Sequence, residues 1–227
     1  VWSKDSSSIY YTTNRVAEPY YEDANTQIYS VALSGGEPTL LTKLDMGVGG
    51  LTLSPDGKKF AFVASAPSKP VKSYTQPDLW VLDVAKNSQP KNLTTAFDYD
   101  VAGGVGGDQA PPRGGGGGGI AWSPDGRSIL STYGKEGSAN IGRFDALDGK
   151  LTDITTGKQS VSGFRMTTDG SKLVYSVSTP TRIGDLYLSE KGGQPKQLTR
   201  INDKLFSKLN LTEPEEIWYT SFDGKKV

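Results

Sequence analysis

The chain has no cysteine and no histidine among its 227 residues, and only two methionines. Without cysteine there is no disulfide, no thiol nucleophile and no thiolate metal site. Without histidine, the usual general base, the usual zinc ligand and every Ser-His-Asp triad are excluded from this chain. No stretch approaches the ~18 apolar residues of a membrane-spanning helix. An excess of charge is missing too. Lys and Arg number 25, Asp and Glu 25, so neither nucleic acid nor a membrane surface is expected as a partner. The lack of cysteine is compatible with a bacterial periplasm and with a cytoplasm alike, and leaves the compartment open.

Glycine and proline are plentiful, with 28 and 13 copies, and they punctuate a repeat. Ser123-Pro124-Asp125-Gly126 is a type I turn written in residues, since Pro presets φ at its second position and Gly takes the last. It joins Ile120-Ala121-Trp122 to Ser128–Tyr133, two runs of strand-forming residues. The unit recurs at Ser54-Pro55-Asp56-Gly57 and Thr167-Thr168-Asp169-Gly170, and in degraded form at Ser3-Lys4-Asp5-Ser6. A second pair of runs follows each copy and ends in an apolar residue and Thr: Leu41-Thr42, Leu93-Thr94, Ile154-Thr155 and Leu198-Thr199. Four hairpin pairs make four units of four strands, the period of propeller blades. The expected fold is therefore all-β, a β-propeller of four-stranded blades over residues 1–42, 43–94, 95–155 and 156–199. After Thr199 the character changes, and residues 201–227 are read apart from the blades.

Several features invite chemistry and are weighed against simpler roles. Gly114, Gly116 and Gly119 satisfy G-x-G-x-x-G, but within a homopolymer that match is forced, and Pro124 forbids the helix that would hold a phosphate. Gly126-Arg127-Ser128 lies in a strand rather than on the strand-to-helix elbow of a nucleophilic serine. Asp98, Asp100 and Asp108 flank glycines without the spacing of a calcium loop. Glu18, Glu22, Asp23 and Glu136 are loop acids that would suit the amino end of a substrate. Trp2, Trp80 and Trp122 fall at strand positions and are expected to pack between blades. Asn92-Leu93-Thr94 and Asn210-Leu211-Thr212 match the glycosylation acceptor pattern. No catalytic, cofactor or metal residue is assigned, and no substrate-binding residue is singled out. Phe97–Gly119, with ten glycines, is expected to be a long loop without core residues.

Both ends are expected to be interrupted. Only Val1 precedes Trp2, where the other units have an incoming strand. At the other end Lys204–Leu209 is predicted as a short helix capped by Asn202 or Asp203. Ile217–Phe222 is predicted as a strand and Asp223-Gly224 as a turn, with no return strand to follow. An arc of four blades leaves two outer faces bare. The expectation is a distorted closed ring, a pairing of two copies, or a union with further parts of the protein.

The repeated S-P-D-G-(K/R) unit, followed by D-(L/I)-(W/Y) and closing on Leu-Thr, resembles the propeller repeats of TolB and of the prolyl oligopeptidase family of serine peptidases. Leu198–Asn202, Leu209–Ile217 and Tyr219–Gly224 are similar to the crossover from propeller to α/β-hydrolase domain in acylaminoacyl-peptidase-like and dipeptidyl-peptidase-like members. Phe97–Asp100, Gly107–Gln109 and Pro112–Gly114 resemble a glycine-rich insertion of bacterial members. The resemblance implies a seven- or eight-bladed ring of which four blades are visible. It also implies a hydrolase domain as partner and peptides as substrates. The family's nucleophile, acid and base would lie C-terminal to this chain, and the amine-binding Glu pair of dipeptidyl peptidases does not map onto Glu215-Glu216. The resemblance thus implies the non-catalytic propeller of a peptidase, or, as the other possibility, a stand-alone TolB-like propeller that binds a protein.

Overall fold

The computed structural model describes residues 1–18, 21, 25–70, 72, 74–105, 119–190 and 193–227. Among the described residues fifteen strands follow one another as four antiparallel units. The first holds β1 (Ser8–Thr13), β2 (Thr26–Ala32) and β3 (Thr39–Leu44), with Trp2 bridged to Ile9 where an innermost strand would run. The second holds β4 (Gly49–Leu53), β5 (Lys59–Ser65), β6 (Pro77–Asp83) and β7 (Lys91–Asn92). The third holds β8 (Ala121–Trp122), β9 (Ser128–Lys135), β10 (Ser138–Asp145) and β11 (Leu151–Asp153). The fourth holds β12 (Ser160–Met166), β13 (Lys172–Thr179), β14 (Arg182–Glu190) and β15 (Lys196–Gln197). One parallel pair, Ala139 with Ser160, stitches the third and fourth units into a continuous sheet.

Blades are held together by what alternates along their strands. In the second blade Phe60, Phe62, Trp80 and Leu82 face the first blade and meet Ile28, Leu44 and Met46. The residues between them, Ala61, Leu79 and Val81, face the third blade and meet Trp122, Ile129 and Phe144. The third blade repeats this, turning Leu130 and Ile141 toward Val161, Phe164 and Tyr175 of the fourth. A sheet buried on both faces shows near-continuous apolar runs, which is why β9 is buried over six successive residues. The fourth blade has a neighbour on one side, so β13 alternates instead: Leu173, Tyr175 and Val177 are buried and the residues between are not. Each fully buried Phe or Ile contributes about 1.5–3 kcal/mol. Among the described residues no core cluster joins the fourth blade to the first. The arc is open, and the expectation of a distorted closed ring is not met.

Trp80 and Trp122 are buried, but Trp2 is 55% exposed, contrary to the expectation that all three pack between blades. The residue before each turn faces the preceding blade: Leu53, Trp122 and Met166 all do. Trp2 occupies that position in the first unit, and among the described residues no core cluster covers it.

The four turns are built alike. A hydroxyl (Ser3, Ser54, Ser123 or Thr167) donates to the Asp two residues on, at 2.6 Å each time. The same hydroxyl accepts the backbone N–H five residues on, at 2.9 to 3.0 Å. The carboxylate in turn accepts the N–H two residues beyond it. Ser6 stands where the other turns have Gly and takes the same left-handed conformation, φ 58°. These bonds favour the charged form of every turn Asp, with the hydroxyl donor the largest cause. Asp5 is held down to about 2 from 3.8, and Asp56, Asp125 and Asp169 are also lowered. A depressed folded-state pKa gives stability that is present above the unfolded value and lost as pH falls through the folded one. The thermal midpoint is therefore expected to hold above pH 4 and to fall between about pH 4 and 2. Ser54→Ala is expected to flatten that fall.

The tail departs from expectation. The helix α1 is only Asp203–Phe206, and Asn202 gives its side-chain amide to the Ile183 carbonyl rather than to the helix. Asp223-Gly224 turns the chain as predicted, but a return segment is present. The N–H of Tyr219 donates to Val227 at 3.0 Å, and that of Val227 donates back at 2.9 Å. Lys225 and Lys226 carry no strand signal, yet this pairing needs only their backbones.

Candidate functional site: the insertion face

Strand order gives each blade two edges. The Asp turns lie on one edge. The second-to-third-strand loops and the blade-to-blade connections lie on the other, and the tail departs from that edge after β15. All the long insertions therefore share one face.

On that face a cavity of about 490 Å³ is bordered by three segments. Tyr74 and Gln76 come from the β5–β6 loop, Asp98–Asp100 with Gly104 and Val105 from the β7–β8 connection, and Lys135–Gly137 from the β9–β10 turn. Asp98, Asp100 and Glu136 are thus brought together. Asp108, Glu22, Asp23, Gly114 and Gly116 lie outside the described residues, and Glu18 is not among the residues of this cavity.

Local geometry explains the placement. Ser138 pairs with Lys135, so Glu136-Gly137 is a two-residue hairpin turn with φ 48° and 73°. Both central residues are left-handed, the form whose usual signal is Asn-Gly. Glu136 in the Asn position hid the turn from sequence reading. The β7–β8 connection is not coreless as expected. Val101 is fully buried and bridges Tyr133, and Phe97 packs edge-on against Tyr133 and Phe144, at 5.8 and 5.6 Å between ring centres. Ala102 donates to the Thr132 carbonyl at 2.8 Å. These anchors hold Asp98–Asp100 at the rim.

Two of these three acids have a tyrosine partner. The Tyr74 hydroxyl donates to both oxygens of Asp100, at 3.0 and 3.1 Å, and the Tyr99 hydroxyl to Glu136 at 3.2 Å. The Tyr74 phenol is pushed up chiefly by its bond to Asp100, and the Tyr99 phenol by burial and then by Glu136. Both therefore stay protonated donors at neutral pH. Lys135 places its ammonium 5.3 Å from the Tyr99 ring centre, a cation–π distance. Such a site can hold an ammonium group. Among the described residues it has no nucleophile with an activating base, and no cluster of three acids is placed to hold a metal.

A second cleft of about 200 Å³ adjoins it and shares Val105, Glu136 and Gly137; Glu215 and Glu216 close its far side. A larger cavity, about 720 Å³, lies elsewhere, along the innermost strands β4, β8 and β12. Among the described residues its one charged side chain is Arg165, which donates to the Phe164 carbonyl. It is the wall of the arc's inner channel rather than a site built for chemistry.

The glycosylation patterns resolve differently. Asn92 gives its amide to Asp78 at 2.8 Å and Thr94 is buried, donating to Asp78 and accepting from Leu79. That segment closes the second blade. Asn210 is exposed.

No protein-family model matches the chain. It is 28% identical over 159 residues to the uncharacterized peptidase YuxL of Bacillus subtilis, a match that takes in 70% of this chain. The chain spans about a quarter of that relative's length, 24%. Acylaminoacyl peptidase of Pyrococcus horikoshii matches with a TM-score of 0.66 and 24% identity, over 100% of this chain and 31% of that one. The β-propeller domain of the trilobed protease from Pyrococcus furiosus matches at 0.60 and 20%, over 92% and 53%. TolB of Acinetobacter baumannii matches at 0.60 and 22%, over 87% and 42%. The chain has the β-propeller fold that these peptidases share with TolB.

Proposed function

We propose that this chain is the non-catalytic propeller part of a serine peptidase acting on short peptides, and that it controls access to an α/β-hydrolase domain of the same protein. The observation that carries this reading is coverage. The acylaminoacyl peptidase match extends over the whole chain, tail included, while the TolB match covers 87% of it. The chain's own chemistry fits, since it lacks histidine and has to borrow a catalytic base from elsewhere. On this reading the insertion face looks toward the hydrolase domain, and the ring excludes folded proteins by size. The acid–tyrosine cavity seats the amino end of the peptide, with Glu136 and Asp100 as counter-charges.

The test is made on the protein that carries this chain in its full length. It is expected to cleave short peptides and spare folded proteins. Glu136→Gln is expected to weaken the use of peptides with a free amino end about tenfold, the scale of one charge-assisted hydrogen bond, and to leave acetylated peptides unaffected. Equal digestion of folded proteins and peptides would end the gating reading.

The second reading, a TolB-like propeller binding a protein through the same face, is favoured by the TolB match and by the absence of a complete catalytic set here. The coding sequence beyond Val227 separates the two. A Gly-x-Ser-x-Gly elbow followed by Asp and His supports the peptidase, and a stop codon supports the binder.

A further inference from the structure

The tail reaches the insertion face again at Glu213–Trp218. Every residue from Asn210 to Thr220 is exposed, so apolar burial does not hold this segment in place. Polar contacts do. The Thr181 hydroxyl donates to Glu213 at 2.5 Å. Lys158 pairs with Oε2 of Glu216 at 2.6 Å, and the Trp218 indole N–H donates to the other oxygen of the same carboxylate at 2.5 Å. Glu216 therefore joins the β11–β12 loop of the third and fourth blades to the start of the terminal hairpin.

We propose that residues 213–218 are a charge-held strap that fastens the terminal hairpin to the loops of the third and fourth blades, and that loss of the Lys158–Glu216 pair releases it. The strap roofs the small cleft whose residues Glu136 and Gly137 also border the acid–tyrosine cavity. Its release opens that cleft. The Lys158 and Glu216 side chains are 80% and 42% exposed, which makes the pair weak and screened by salt. A fastening of that strength is reversible under ordinary conditions. The inference holds whether or not the chain serves a peptidase.

A glutamate-specific endoprotease reads the strap directly, by the rate of cleavage after Glu215 relative to cleavage after Glu190 on β14. Lys158→Ala is expected to raise that ratio about two- to fivefold. Lys158→Glu is expected to open the strap, and Lys158→Glu combined with Glu216→Lys to restore protection after Glu215. An unchanged ratio in Lys158→Ala would overturn the proposal. So would a charge-swapped pair that is cut as fast as the single reversal.

Discussion

Replacing Gly149 with alanine is expected to cost roughly 3–5 kcal/mol of stability, in the exceptional range for one substitution. Gly149 sits in the β10–β11 turn of the third blade, pressed against the end of β7 in the second. A Cβ built there would lie 1.8 Å from the Leu93 carbonyl oxygen and 2.6 Å from its carbon, at a φ of +73°. Neither partner is a flexible side-chain tip. Leu93 is buried, and its own N–H is fixed to the Leu79 carbonyl at 2.8 Å. The junction has to open or the third blade has to shift. Gly137→Ala is the control, because that residue has the same φ of +73° and nothing within 4 Å. It is expected to lose only about 1 kcal/mol, the cost of alanine in a left-handed position. Urea denaturation of the two variants isolates the steric part. Equal losses would mean that the junction between blades yields far more easily than its geometry indicates.

The repeat was readable because its turns depend on residue types that do one thing. Pro, Asp and Gly at fixed offsets mark Ser54–Gly57 and Ser123–Gly126 whatever surrounds them. The closing Leu-Thr pair was visible as a pattern, but its cause was not. Each of Thr94 and Thr155 donates to a side chain and accepts a backbone N–H 14 to 16 residues upstream across two strands, a contact that no local window contains. Val101 was missed because glycine-rich flanks suppress any apolar signal, although one buried valine bridged to Tyr133 suffices to anchor the segment. The acid–tyrosine cavity was legible only in pieces. Asp98, Asp100 and Glu136 each stood out, but Tyr74 lies 26 residues from Asp100, and Tyr99 lies 37 from Glu136. Those pairings depend on how two blades stack. The exposed Trp2 shows the same limit, since its surroundings are set by a neighbouring blade and not by its own sequence.

Asp185→Ala is expected to cost roughly 2–4 kcal/mol, while Asp185→Asn is expected to cost about 1 kcal/mol or less, because the same blade-closing bond is made in this chain with either residue. Asp185 is fully buried. It accepts from the Thr199 hydroxyl at 2.8 Å, the Gln197 amide at 3.0 Å and the Ile201 N–H at 3.1 Å. Burial alone would push its carboxyl up, but the Ile201, Thr199 and Gln197 donors outweigh burial and hold it below the ordinary range. Alanine removes the acceptor of all three donors, although the Gln197 amide keeps its bond to the Thr199 carbonyl; a buried donor left unpaired costs about 1–3 kcal/mol, less where, as at Ile201, water can reach it. In the third blade Asn140 holds the equivalent place, accepting from Thr155 at 3.0 Å and from Gln159 at 2.9 Å. An amide oxygen therefore serves the Thr hydroxyl as well as a carboxylate does. The Asn variant should also lose the share of acid sensitivity that Asp185 contributes, since a depressed carboxylate stabilises the fold only until pH falls through its folded value. Urea denaturation at neutral pH and again in acid, with amide exchange followed at Ile201, reads both effects. If Asn and Ala lose the same stability, the carboxylate's charge, and not the hydrogen bonds it shares with Asn140, is what closes the fourth blade and fixes the point from which the tail departs.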